Sequence, residues 1–194
     1  MKKLKTYLIF ALALAVTPLY GDVIYELDYV SGSSGSVNKS GSSYTSPVGD
    51  VLVDRNSTNG MGGDTRGYYS FDLSAITEGV LVGATLTLDV SDFTSGASVD
   101  LTTFDYDPLG TLRDLYQDIA GGTDLASFNV DDTGIIEINF TAAELTEIMN
   151  SFGGLFTFGL LAGSNKDFVS FNDLNAKLTL NVAPEVGEVL LMLM

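Results

Sequence analysis

The chain's 25 carboxylates are its only abundant side chains able to move protons near neutral pH, so their spacing is where a reaction centre has to be sought. Asp105 and Asp107 flank Tyr106, with Asp114 beyond, and Asp131 and Asp132 precede Thr133 and Gly134. Two carboxylates on either side of a glycosidic bond are the machinery of most glycoside hydrolases, which keeps a carboxylate-dependent glycan-cleaving enzyme among the readings. Abundance alone makes such pairs easy to assemble, and each group also reads as turn-forming Asp in a solvated loop, the more economical assignment. Asp89, Asp92 and Asp100 are spaced to gather at a hairpin end, where an all-oxygen set would suit calcium. No twelve-residue EF-hand pattern accompanies them. Calcium is therefore the one cofactor left open, metal ligands stay unknown, and no catalytic or cofactor-binding residue is assigned.

What is missing narrows the chemistry further. Without His or Cys the chain has no Ser-His-Asp triad, no cysteine nucleophile and no ordinary zinc, copper, haem or iron-sulfur ligation. Nine Lys plus Arg against 25 Asp plus Glu gives net -16, a sign that repels phosphate backbones and excludes nucleic acid as a partner. Sugar recognition stacks an aromatic face on the pyranose ring. With no Trp, the candidates come from nine Tyr and eleven Phe, and Tyr44, Tyr68, Tyr69 and Tyr106 read as the least buried. Adjacent Tyr68 and Tyr69 must point to opposite faces of one strand, so at least one of them faces a core or a second sheet. Arg66 suits either an acidic sugar or a local ion pair, and the chain's acidity favours the latter.

The elements that would position these residues are strands. From Val23 to Val30, Val23, Tyr25, Leu27 and Tyr29 share one parity while Glu26 and Asp28 take the other, the period of a half-buried strand. Further strands are predicted at Asp50 to Asp54, Gly67 to Leu73, Ala84 to Val90, Val99 to Asp105, Ile135 to Phe140, Leu155 to Leu161, Phe168 to Phe171 and Ala176 to Val182. Leu86, Leu88 and Val90, like Leu178, Leu180 and Val182, alternate with polar residues, so one side should meet a core and the other water. The fold class is all-β: an antiparallel β-sandwich, jelly-roll-like, with one or two short helices. Thr141 to Ser151 reads as a helix opened by a Thr141/Glu144 capping box and ended by Gly153, with Leu145, Ile148, Met149 and Phe152 on one face. Leu109 to Ile119 is a fainter helix, and both are expected to cap an open end of the sandwich. Ser31 to Ser46, rich in Ser and Gly, and Asn56 to Thr65 read as mobile polar loops.

The segment from Arg66 through Tyr68, Phe71, Asp72, Leu73, Ser74 and Ile76, then Val80, Gly83, Ala84 and Leu86, resembles exported bacterial jelly-roll modules related to carbohydrate-binding modules. There an Arg-led strand ending in Phe-Asp-Leu-Ser precedes a turn and an Ala-x-Leu-x-Leu strand. The resemblance spans roughly 25 residues, supports the fold class, and does not name a ligand.

The termini address the chain rather than fold it. Lys2, Lys3 and Lys5, an apolar stretch from Tyr7 to Val16, and a small residue at Gly21 read as a secretory signal peptide over residues 1–21. The apolar run is shorter than the roughly 20 residues a membrane-spanning helix needs. The sandwich is assigned to residues 22–182. Residues 183–194 form a tail in which Pro184-Glu185 is followed by an apolar run from Val189 to Met194. An exported Gly/Ser/Thr-rich β domain followed by Pro-Glu and a hydrophobic tail resembles the C-terminal sorting region of PEP-CTERM proteins of Gram-negative bacteria, which an exosortase handles. The family implies a second proline, where this chain has Val186, then a longer membrane helix and a basic cluster, so the tail reads as degenerate or truncated. The expected function is a non-enzymatic exported module of the cell surface or exopolysaccharide matrix. Its partners would be polysaccharide or other surface components and the sorting machinery, with transient membrane contact during export. The alternative is a glycan-binding module resembling carbohydrate-binding modules.

Overall fold

The computed structural model describes residues 22–47, 49–55, 63–172 and 175–184. The expected leader and the tail beyond Pro184 lie outside the described residues. The elements run β1 (Val23–Asp28), β2 (Gly35–Ser40), β3 (Ser43–Thr45), β4 (Val51–Asp54), β5 (Asp64–Asp72), β6 (Val80–Phe93), β7 (Ala97–Thr103), α1 (Leu112–Gly121), β8 (Thr123–Val130), β9 (Gly134–Asn139), α2 (Ala142–Met149), β10 (Leu155–Ala162), β11 (Phe168–Phe171) and β12 (Lys177–Ala183). Among the described residues no helix is long and apolar enough to cross a membrane.

Every strand pair is antiparallel. One continuous ladder, β1-β12-β6-β11-β4-β5-β10-β7-β8, curls into two facing layers, with β9 on the free side of β6 and the β2–β3 hairpin on β5. The corners are the Asp54–Thr65 bridge between β4 and β5 and the Tyr29–Phe71 bridge that carries the end of β1 onto β5. The chain crosses between layers repeatedly, from β4 to β5, β5 to β6 and β6 to β7, the jelly-roll-like routing expected from the sequence. Strand β6 is long enough to serve β12, β9 and β11, and register shifts against β12 and β11 bend it as bulges do.

Alternation decides what each face buries. Leu86, Leu88 and Val90 of β6 and Leu178, Leu180 and Val182 of β12 face Tyr69 and Phe71 of β5 and Phe156, Phe158 and Leu160 of β10 in one core. Phe158 lies at its centre, stacked on Phe140 at 5.5 Å and edge-on to Phe71 and Phe156 at 5.9 and 4.7 Å. Helix α2 closes an end of this core with Ile148, supported by Leu145, Met149 and Phe152. The Glu144 carboxylate accepts from the Thr141 N–H as the capping box requires, and Gly153 follows in the left-handed region with φ 80°.

Four points of the expected fold need correction. Ser31 to Ser46 is not a loop but contains β2 and β3, with Ser36, Val37 and Asn38 buried. Its inward positions are polar and pair locally: the Asn38 amide donates to Thr65 Oγ1 at 2.7 Å, and the Leu52 N–H donates to Ser36 Oγ at 2.6 Å. The far end of the Asn56 to Thr65 segment likewise belongs to β5, while 56–62 lie outside the described residues. Strand β8 was missed because a register shift against β7 breaks its two-residue period. Finally, α1 does not cap an open end. It lies across the outer face of the β2–β5–β10–β7 layer, where Tyr116 and Ile119 form a second buried cluster with Val37 and Tyr68.

Candidate functional site

The parity of β5 builds the most chemically varied surface of the molecule. Thr65, Tyr69 and Phe71 point inward, which turns Asp64, Arg66 and Tyr68 onto the outer face beneath α1. Lys39 of β2 stands opposite both Asp64 and Tyr44 of β3. Tyr116 of α1 descends among these groups. The Arg66 guanidinium lies 3.6 Å from the Tyr116 ring centroid and donates to the Tyr116 backbone carbonyl, while the Lys39 ammonium approaches the same ring at 5.6 Å. The Tyr116 hydroxyl donates to Asp64, whose carboxylate also pairs with Arg66 at 3.5 Å. Tyr44 meets Tyr116 edge-on at 5.5 Å, and Tyr106 stacks on Tyr68 at 5.7 Å with rings 19° apart.

Helix α1 can sit this close because residue 159 is glycine. A Cβ there would come within 2.5 Å of Thr102 Oγ1 and 2.8 Å of Ile119 Cγ2. Thr102 Oγ1 instead donates to the Ile119 carbonyl at 2.7 Å, near the C-terminal end of the helix where carbonyls lack intrahelical partners. At the other end, the Thr111/Asp114 capping box fixes the first turn. The Thr111 hydroxyl, donating to Asp114, holds that carboxyl below its ordinary range. Burial raises the Tyr68 phenol to about 12, with the neighbouring Tyr106 phenol adding to the effect. Burial first, and then its hydrogen bond to Asp64, pushes the Tyr116 phenol up as well.

Of the tyrosines expected to be exposed, Tyr69 and Tyr68 are buried, one in each cluster as their opposite parity requires. Tyr44 and Tyr106 remain half-buried at the rim of α1. Arg66 takes the local ion pair expected of it. The sequence signalled this residue, but nothing in its spacing revealed Tyr116 as its partner fifty residues away.

The aspartates do not converge. Asp89 accepts from the Asn175 amide, Asp92 from the Phe93 N–H and Asp100 from the Ser127 hydroxyl, so the hairpin-end calcium cluster is not formed. Asp89 and Asp92 lie on β6, which pairs with β9, β11 and β12, whereas Asp100 lies on β7 between β10 and β8. Among the described residues no group of three or more acidic side chains could hold a metal ion. Asp107 closes a turn onto the Leu109 N–H and Asp132 one onto the Thr133 N–H. Two surface hollows hold carboxylate pairs: one of about 300 Å³ with Asp100 and Asp124, and one of about 330 Å³ with Asp105 and Asp118. Asp105, Asp118 and Asp124 are solvent-exposed.

No family model and no curated protein sequence matches the chain. Solved structures similar to it include the C-terminal CBM6 of LamC, a marine laminarinase from Zobellia galactanivorans, at 12% identity and a TM-score of 0.36, covering 81% of this chain and 99% of that one. Another is TmCBM61, solved in complex with β-1,4-galactotriose, at 14% identity and a TM-score of 0.26, covering 67% of this chain and 81% of that one.

Proposed function

We propose that the chain is a non-catalytic β-sandwich module of the bacterial cell surface or exopolysaccharide matrix, exported by its N-terminal leader and sorted by its tail. The observation that carries this reading is the disposition of the carboxylates. Asp89, Asp92, Asp100, Asp107, Asp114 and Asp132 are engaged in turns, a helix cap and side-chain hydrogen bonds, and in the surface hollows Asp105, Asp118 and Asp124 are solvent-exposed. A tagged chain expressed in a Gram-negative host should fractionate with the outer surface or the shed matrix, lacking residues 1–21. Recovery of the intact chain from the cytosol would overturn the export and matrix assignment.

A second reading, a glycan-binding module, is favoured by the rim of α1. Half-buried Tyr44 and Tyr106 there offer aromatic surface beside Arg66, Asp64 and Lys39, the mixture of ring face and hydrogen-bonding groups that sugars require. Binding on a glycan panel, lost in Tyr44→Ala with the fold intact, would establish it. Binding that survives substitution of Tyr44 and of Tyr106 would remove the rim as its site.

A further inference from the structure

We infer that the rim where the β2–β3 hairpin meets α1 is a site for a sugar bearing a carboxylate or sulfate group. This rests on the glycan-binding reading and assigns its substrate class. The deciding group is Lys39. Its ammonium packs at 5.6 Å from the Tyr116 ring centroid, and among the described residues no carboxylate lies within ion-pair distance of it. Asp64, its cross-strand neighbour, has its carboxylate occupied by Arg66 and by the Tyr116 hydroxyl. In a chain of net charge -16, an ammonium held against an aromatic ring without a carboxylate partner is a local inversion of sign.

The aromatic half of the site is Tyr44, directly opposite Lys39 and edge-on to Tyr116, with its ring half-exposed. A pyranose resting on Tyr44 would place a ring substituent beside Lys39, so an acidic sugar satisfies both groups and a neutral one satisfies only the ring. The chain's overall negative charge opposes such a ligand at a distance. At physiological ionic strength that repulsion is screened beyond about 8 Å, whereas a contact with Lys39 is not.

The test is retardation of the full chain in native gels containing polygalacturonate, dextran sulfate or a neutral β-glucan, at physiological salt. Retardation by one or both acidic polymers is expected, weakened on the order of tenfold in Lys39→Gln and in Tyr44→Ala. It should be unchanged in Lys177→Gln, which removes the same charge from an exposed site elsewhere. The polygalacturonate and dextran sulfate gels distinguish a carboxylate from a sulfate. Retardation by the neutral glucan that is indifferent to Lys39→Gln but lost in Tyr44→Ala would overturn the acidic class and leave the glycan reading standing. Equal weakening in Lys177→Gln would reduce the effect to net charge and overturn the site. No retardation by any polymer would overturn both.

Discussion

Arg66 ties three elements together through one side chain: it ion-pairs with Asp64 on its own strand, covers the Tyr116 ring, and donates to the Tyr116 carbonyl of α1. Only 16% of that side chain is exposed, so these contacts are largely shielded from water. Arg66→Ala should cost about 2–4 kcal/mol in urea unfolding, combining a cation–π contact with hydrogen bonds to a charged group. Arg66→Lys should recover little of it, because an ammonium cannot cover the ring and reach the carbonyl and carboxylate with the guanidinium's planar fork. An Arg66→Ala variant of unchanged stability would mean that α1 is held by its apolar contacts alone. Tyr68 supplies a pH signature. Its phenol is raised from an ordinary value near 10 to about 12, so the fold favours the neutral form. That contribution is complete below pH ~10, where the phenol is neutral in the unfolded chain too, and is lost as pH rises through the folded value. Unfolding free energy measured against pH should therefore fall across this alkaline window, and Tyr68→Phe should make the fall shallower, leaving the part that Tyr116, also raised, contributes.

At the scale of elements, the contact between α1 and the layer beneath it depends on Gly159. A methyl group there meets Ile119 and Thr102 at distances ordinary side chains do not show, so Gly159→Ala should destabilise by about 1–3 kcal/mol and lower hydrogen-exchange protection in α1 before it affects the β-strands. Uniform loss of protection across the molecule would instead make α1 part of the main cooperative unit. The same helix shows where sequence reading ran out. Its Leu112, Leu115, Tyr116, Ile119 spacing was legible, because amphipathicity is local, whereas its Thr111/Asp114 capping box was not read from the sequence. Its position over a sheet face depends on Gly159 and Thr102, residues on two distant strands. Strands with apolar inward positions, such as β6 and β12, were likewise readable. Strand β2 was not, because Ser36 and Asn38 are buried through hydrogen bonds that hydrophobic periodicity does not register. The adjacent Tyr68 and Tyr69 announced that they face opposite ways, but a burying helix on the second face could not be inferred from their spacing.

Across the whole molecule, most buried apolar side chains lie in the core between the layers, and Phe158 is its most informative probe. The ring contacts three other phenylalanines, so Phe158→Ala should cost about 3–5 kcal/mol without selective loss of α1, which packs on the far side of the sheet. At this scale the proposed non-catalytic role rests on aspartates such as Asp89, Asp92, Asp100, Asp107, Asp114 and Asp132 being held in turns, a helix cap and strand contacts. Incubating the purified chain with a panel of polysaccharides and measuring newly released reducing ends tests that claim most directly. The expected result is no release above a protein-free blank at any acidic or neutral pH. Sustained release that disappears when one aspartate or glutamate is replaced by its amide would contradict it.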